Sequence, residues 1–189
     1  AKLAGADRVI NNITGLGFLF SDARIRIRIL KAIVILLYHL ALKNTTVIFQ
    51  NPDDKTFFLK KKIITEEQTR LIAGSGTKLP VQIPDRSHQG NDIKIILPGR
   101  MMWTKGIQVF VDAAKVIRKE HPNLHFILVG AIPEHGPNKI PVEAIEEWSQ
   151  NGWVEWWGWK DDMAEVYRQA DIICLPTLYG EGIPKTLIE

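Results

Sequence analysis

Short, continuous apolar runs separated by stretches of helical periodicity are the feature that most limits what this chain can fold into. In the second half they are Ile93-Lys94-Ile95-Ile96-Leu97, Leu124-His125-Phe126-Ile127-Leu128-Val129, Val154-Glu155-Trp156-Trp157-Gly158 and Ile172-Ile173-Cys174-Leu175-Pro176. In the first half, Arg8 to Thr14, Thr45 to Gln50 and Arg70 to Ala73 read as shorter strands. Strands that run apolar without alternation are buried on both faces, which requires a parallel sheet covered by helices on each side.

The intervening segments supply those helices. Ile107 to Glu120 places Val109, Phe110, Ala113, Ala114 and Ile117 on one face. Asn51-Pro52 gives an N-cap and a first helical residue for Asp53 to Lys62, and Val142 to Gln150 is a further helix. Thr65-Glu66-Glu67-Gln68 and Asp162-Met163-Ala164-Glu165 each fit a capping box. Ala23 to Lys43 is the most apolar segment, with Ile29, Leu30, Ile33, Leu36, Leu37 and Leu40 recurring at helical spacing, and it is expected as a core helix packed on a sheet. Its uncharged run from Ala32 to Leu42 is eleven residues, too short to span a bilayer, although a basic first turn and an apolar body suit a membrane surface.

Between Thr77 and Asp92 the periodicity lapses and prolines, Ser and Gly take over, which marks residues 77–92 as a linker. The expected fold class is therefore α/β with parallel sheets, in two incomplete Rossmann-like units, residues 1–76 and 93–189. A hydrophobic content of 46% and a charged content of 24% in 189 residues argue for a folded chain with a sizeable core. The net charge of +3 permits an anionic ligand or membrane surface and requires neither; no nucleic-acid partner is expected. The single cysteine, Cys174, rules out an internal disulfide framework, fits a cytoplasmic location and reads as a core residue. Both ends read as cut, because residue 1 lies in what resembles a helix tail and the last helix stops after about six residues, short of the usual length. The expectation is a fragment.

Ligands of open parallel sheets bind at the carboxyl ends of the strands. Three segments of the second unit converge there: Gly99 to Gly106, Trp157-Gly158-Trp159, and Glu181 to Glu189. Arg100 offers a bidentate fork and Lys105 a point charge, a pair suited to a diphosphate. Pro184 fits a first helical position, with Glu181 in the loop before it and Glu189 five residues further on, roughly 7–8 Å along the helix. Two carboxylates so placed suit two separated hydroxyl groups of one ligand, with the helix start between them facing a phosphate. Other candidates are weaker. His121 and His125 have ligand-like spacing, but Pro122-Asn123 breaks the helix that would align them. Of the six tryptophans, Trp153, Trp156 and Trp157 read as core and rim, and no Gly-X-Gly-X-X-Gly links a strand to a helix.

Gly99-Arg100 with Lys105-Gly106, the strand ending at Gly130, the Gly158 turn, and Glu181-Gly182-Ile183-Pro184 running to Glu189 resemble the donor domain of family 4 glycosyltransferases of the GT-B fold. Thr14-Gly15-Leu16-Gly17-Phe18-Leu19-Phe20 and Phe49-Gln50-Asn51-Pro52-Asp53-Asp54 resemble the later half of their acceptor domain, most closely in enzymes that build capsule and O-antigen polysaccharides. The resemblance implies that Gly99, Arg100 and Lys105 bind the nucleotide diphosphate, and that Arg100 and Lys105 stabilise the leaving phosphate. It implies that Glu181 holds donor-sugar hydroxyls, that Glu189 holds the ribose hydroxyls, and that Gly182, Ile183 and Pro184 bring the backbone close to sugar and phosphates. The implied reaction is retaining transfer of a sugar from a nucleotide sugar, a UDP sugar, to a lipid-linked saccharide at the cytoplasmic membrane face. Peripheral membrane contact is part of it. No cofactor and no metal are implied, and Asp161-Asp162 is read as helix capping. The alternatives are a sugar-nucleotide epimerase of the same fold and a non-catalytic nucleotide-sugar-binding fragment.

Overall fold

The computed structural model describes residues 5–16, 25–74, 76–77, 90–136, 138–178 and 183–189. They form two compact units, residues 1–77 together with 180–188, and residues 78–179 together with 189. The composition change from residue 77 coincides with the division, and most of the expected linker lies outside the described residues. Residues 180–188, expected with the second unit, group with the first; there Gly74 lies so close to Ile183 that a Cβ at Gly74 would stand 3.0 Å from the Ile183 carbonyl oxygen.

The first unit is a parallel three-stranded sheet in chain order. Strand β1 (Ile10–Ile13) is followed by α1 (Ile25–Leu42), β2 (Thr46–Phe49), α2 (Pro52–Lys60), a 3-10 turn (Glu66–Gln68) and β3 (Thr69–Leu71). Phe49 and Phe58, both fully buried, meet edge to face at 5.2 Å, and Tyr38 of α1 packs on Phe58 at 5.0 Å. Local chemistry sets the boundaries as expected. Asn51 accepts from the Asp54 N–H and donates to the Asp54 carboxylate, both at 2.8 Å, with Pro52 next in the chain. Thr65 and Gln68 form the reciprocal capping box. The Gln68 amide also donates to the carbonyls of Leu42 and Thr45, tying this turn to the end of α1.

Helix α1 corrects one expectation. Ile35, Tyr38 and Leu42 face the core, whereas Ile29, Leu30, Ile33, Leu36, Leu37 and Leu40 are 47–67% exposed. The segment is apolar on almost every side, so its own periodicity does not choose the inward face. The choice falls to the aromatic residues it meets, Phe58 above all. Among the described residues, no helix is long and apolar enough to cross a membrane.

The second unit holds a fully parallel four-stranded sheet. Its elements are β4 (Ile93–Pro98), a 3-10 turn (Trp103–Lys105), α3 (Ile107–Ile117), β5 (Leu124–Val129), α4 (Val142–Gln150), β6 (Glu155–Trp156), α5 (Met163–Arg168) and β7 (Ile172–Ile173), whereas the short helix α6 (Lys185–Ile188) groups with the first unit. The strand order is β6-β5-β4-β7. Pleating sends Leu97, Phe126 and Leu128 to one face, against Phe110, Val111 and Ala114 of α3 and Ile145 and Trp148 of α4. Ile96, Ile127 and Val129 go to the other face, against Val166 of α5 and Ala170. This two-sided burial is what the continuous apolar runs required. The tryptophans fill core and rim: Trp148 is buried, Trp153 and Trp156 pack on the first face, and Trp157 packs on the second.

Candidate active site

The carboxyl ends of β4, β5 and β6 are laced together through glycines. The Gly99 N–H donates to the Val129 carbonyl at 2.8 Å, and the Gly130 N–H donates to the Gly158 carbonyl at 2.8 Å. At Gly130, with φ +145°, an added Cβ would fall 2.0 Å from the Gly99 carbonyl oxygen, so no side chain fits where the two strand ends touch. The Trp156 indole donates to the Gly130 carbonyl at 3.0 Å and completes the lacing.

The loop carrying the two candidate cations is fixed at both ends. The Met101 N–H donates to the Ala131 carbonyl and the Trp103 N–H to the Asn138 carbonyl, at 3.0 and 2.9 Å. The Trp103–Lys105 turn closes at Gly106, whose left-handed backbone (φ +73°) leads into α3. A Cβ on Gly106 would meet the Pro176 carbonyl oxygen at 1.8 Å, and the Leu178 N–H donates to the Thr104 carbonyl at 3.0 Å. The exit of β7 is thereby tied to the same loop. Half-buried Lys105 runs its stem beside Gly99, 3.9 Å from where a Cβ would sit, and Arg100 is exposed.

The structure brings Gly99, Arg100 and Lys105 together on one loop of the second unit. Glu189 belongs to that unit too, and its Oε2 accepts a hydrogen bond from the Tyr167 hydroxyl of α5 at 3.2 Å. Ile183 and Pro184 group with the first unit, directly before α6, and Glu181 and Gly182 lie outside the described residues. Next to the laced edge, Trp157, Lys160, Asp162, Glu165, Val166 and Gln169 line an open cleft of about 360 Å³. Asp162 caps α5 by accepting from the Glu165 N–H at 3.1 Å. The Glu165 carboxylate turns forward instead of back to the cap; Gln169 and then Arg168 bond to it and hold its pKa below the usual carboxylate range. Of the capping box expected there, the Asp162 half is present.

Sequence reasoning missed Tyr167 and the cleft. Tyr167 is separated from Glu189 by β7 and α6, and the only sign of the cleft was the convergence of Trp157-Gly158 on the site. His125 lies 3.7 Å from Asp92 and 3.5 Å from Glu155, and among the described residues no three His, Cys, Asp or Glu side chains are arranged to hold a metal ion. Cys174 is half-buried against the first face of the sheet, and burial pushes its thiol pKa up, away from nucleophile chemistry.

Residues 92–189, just over half of the chain, match the family described as glycosyl transferases group 1. The chain is 25% identical over 190 residues to the N,N'-diacetylbacillosaminyl-diphospho-undecaprenol alpha-1,3-N-acetylgalactosaminyltransferase of Campylobacter jejuni, covering 94% of this chain and 48% of that one. Among solved structures it resembles Anabaena HepE in complex with UDP and glucose, with a TM-score of 0.59 and 17% identity over 92% of this chain and 47% of that one. It also resembles WaaG, a glycosyltransferase involved in lipopolysaccharide biosynthesis, with a TM-score of 0.64 and 18% identity over 94% of this chain and 55% of that one. The chain thus spans about half the length of these relatives. The family match falls on the very segment that carries the laced edge, and the shared fold extends over nearly all of the remainder: the chain belongs to the group 1 glycosyl transferases and has their GT-B fold.

Proposed function

We propose that this chain carries the nucleotide-sugar-binding site of an enzyme that moves a sugar from a UDP donor to a lipid-linked saccharide, with residues 93–189 as the donor-binding lobe and residues 1–76 as part of the acceptor-binding lobe. The observation that carries the reading is the fixed loop of residues 99–106, which presents Arg100 and Lys105 at the carboxyl edge of a parallel sheet. Gly99 keeps the backbone open to close approach by a diphosphate. Because hydrogen bonds hold both ends of the loop, the positive charge is in place before negative charge develops on the departing phosphate. The cleft beside Trp157 suits the base, with an aromatic wall and polar groups at Lys160 and Asp162.

Glu181 binds hydroxyls of the donor sugar, Glu189 binds the ribose, and Gly182, Ile183 and Pro184 bring the backbone to the sugar and phosphates. The bond from the anomeric carbon to the diphosphate oxygen breaks, and the acceptor hydroxyl oxygen bonds to the same face of that carbon with loss of its proton. The protein's own cations take the charge-neutralising role, with no metal in the reading. The lipid-linked acceptor is supported by the diphospho-undecaprenol in the name of the Campylobacter relative. Cytoplasmic location and peripheral membrane contact belong to the same reading. The exposed apolar side chains of α1 are the surface that suits a bilayer.

Calorimetric titration with UDP tests the binding step. Saturable binding is expected, weakened about tenfold or more in Lys105→Ala and in Arg100→Ala, in keeping with the loss of one charge-assisted contact. An unchanged affinity in both variants would contradict the site. Transfer itself is checked on a chain of the relatives' full length: an α-configured UDP sugar should give an α-linked product, and the rate should persist in EDTA. A β-linked product would overturn retention.

A further inference from the structure

We infer that Glu155 is a positioning residue for the indole of Trp157, and through it for the base of the bound nucleotide. This rests on the donor-site reading above, in which the cleft beside Trp157 takes the base. The period of a strand puts Glu155 and Trp157 on one face of the sheet and Trp156, between them, on the other. The two adjacent indoles are fixed in different ways. Trp156 donates to the Gly130 carbonyl, within the lacing of the strand ends. Trp157 donates to Glu155 Oε2, two residues back, at 3.3 Å.

The position of Trp157 makes that bond matter. Its backbone N–H donates to the Leu128 carbonyl at 2.9 Å, and the chain turns directly afterwards at Gly158, with φ +67°. The ring is half-buried: it packs on the cluster that includes Ile96, Ile127 and Val166, and it also lines the open cleft. The second torsion of a planar side chain has a broad, roughly two-fold profile, so a ring with one side in an open cleft has more than one setting. A hydrogen bond at the indole nitrogen selects one of them, because turning the ring over carries the N–H away from the carboxylate. Lys94 Nζ stands 6.0 Å from the ring centroid and adds a cation over the ring.

Glu155 has a neighbour at its other oxygen. Ile127 of β5 stands opposite Glu155 in the sheet, so His125, two residues earlier, is a diagonal neighbour on the same face. The His125 Nδ1 lies 3.5 Å from Glu155 Oε1, while Oε2 faces the indole. The aromatic wall is thereby set before a nucleotide arrives. A base stacks on a ring already in place, and binding does not cost the ordering of that ring. Without the carboxylate the same stacking forms only after the indole has been oriented. The expected signature is a loss confined to the part of the affinity that depends on the base.

The experiment is calorimetric titration of the chain with UDP and with ribose 5-diphosphate, which lacks the base, for the unaltered protein, Glu155→Ala, Glu155→Gln, Trp157→Ala, Trp157→Phe and Glu155→Ala combined with Trp157→Phe. The unaltered chain is expected to prefer UDP. Glu155→Ala should reduce UDP affinity about three- to tenfold, as loss of one exposed hydrogen bond to a charged group implies, and leave ribose 5-diphosphate affinity and the melting temperature unchanged. Glu155→Gln, which keeps an acceptor for the indole, should recover most of that loss. In the Trp157→Phe background, where no indole N–H remains, Glu155→Ala should have no further effect. Equal weakening toward both ligands in Glu155→Ala would make Glu155 merely structural and overturn the inference. So would an undiminished UDP preference in Glu155→Ala while Trp157→Ala loses it; in that case the donor-site reading survives. If Trp157→Ala keeps the full preference for UDP, or the unaltered chain does not bind UDP at all, the placing of the base and the inference fall together.

Discussion

Gly106 and Gly152 have nearly the same backbone, φ +73° and +67°, in very different surroundings. A Cβ at Gly152 would meet nothing within 4 Å, whereas one at Gly106 would overlap the Pro176 carbonyl. Gly152→Ala should therefore cost only the left-handed penalty, about 1–2 kcal/mol. Gly106→Ala must also push the β7 exit away from the loop that holds Lys105, at a cost on the order of 3 kcal/mol or more. All six tryptophans lie between residues 103 and 159, so fluorescence-detected urea unfolding reports this unit selectively. Equal losses in the two variants would show that the close approach at Pro176 is not a real constraint. Cys174 gives a check of another kind. Burial raises its thiol pKa, so near pH 8 it holds less thiolate than a free cysteine. Iodoacetamide should modify it more slowly than free cysteine in the native protein and at the ordinary rate in urea. Fast native modification would contradict its place against the core.

At the scale of elements, what could be read from the sequence was what neighbouring residues decide. Asn51-Pro52 and Thr65 to Gln68 start their elements through bonds within three residues, and Val142 to Gln150 emerges with the expected bounds. The inward face of α1 could not be read that way. Ala32 to Leu37 is one unbroken apolar run, and Phe49 and Phe58, which decide what turns inward, lie on other segments. The Tyr167–Glu189 bond is hidden for the same reason, because it depends on where the chain returns after β7. The orientation of α1 has a measurable consequence. Leu37→Glu, on the exposed side, should change the stability of the first unit by no more than about 0.5 kcal/mol. Phe58→Ala should cost about 3–5 kcal/mol, since it empties the centre of an aromatic cluster. Far-UV circular dichroism during urea unfolding distinguishes the two. A large loss in Leu37→Glu would mean that the stripe is buried after all.

For the whole molecule, the candidate site was legible wherever it depends on strand ends. A glycine after a buried parallel strand and a basic loop beyond it place Gly99, Arg100 and Lys105 at the carboxyl edge, as the sequence led one to expect. The carboxylate arm was legible only as a pattern. Its two glutamates are separated by seven residues in the chain, and of the two Glu189 has a described place, in the second unit. The central claim is that the nucleotide binds at the laced edge of that unit. Hydrogen–deuterium exchange with and without saturating UDP tests this most directly, because it reports every backbone amide in one experiment. Slower exchange on UDP addition is expected in residues 99–106 and around Gly130 and Gly158, with little change in residues 10–71. Protection confined to residues 10–71, or none anywhere under saturating conditions, would contradict the claim.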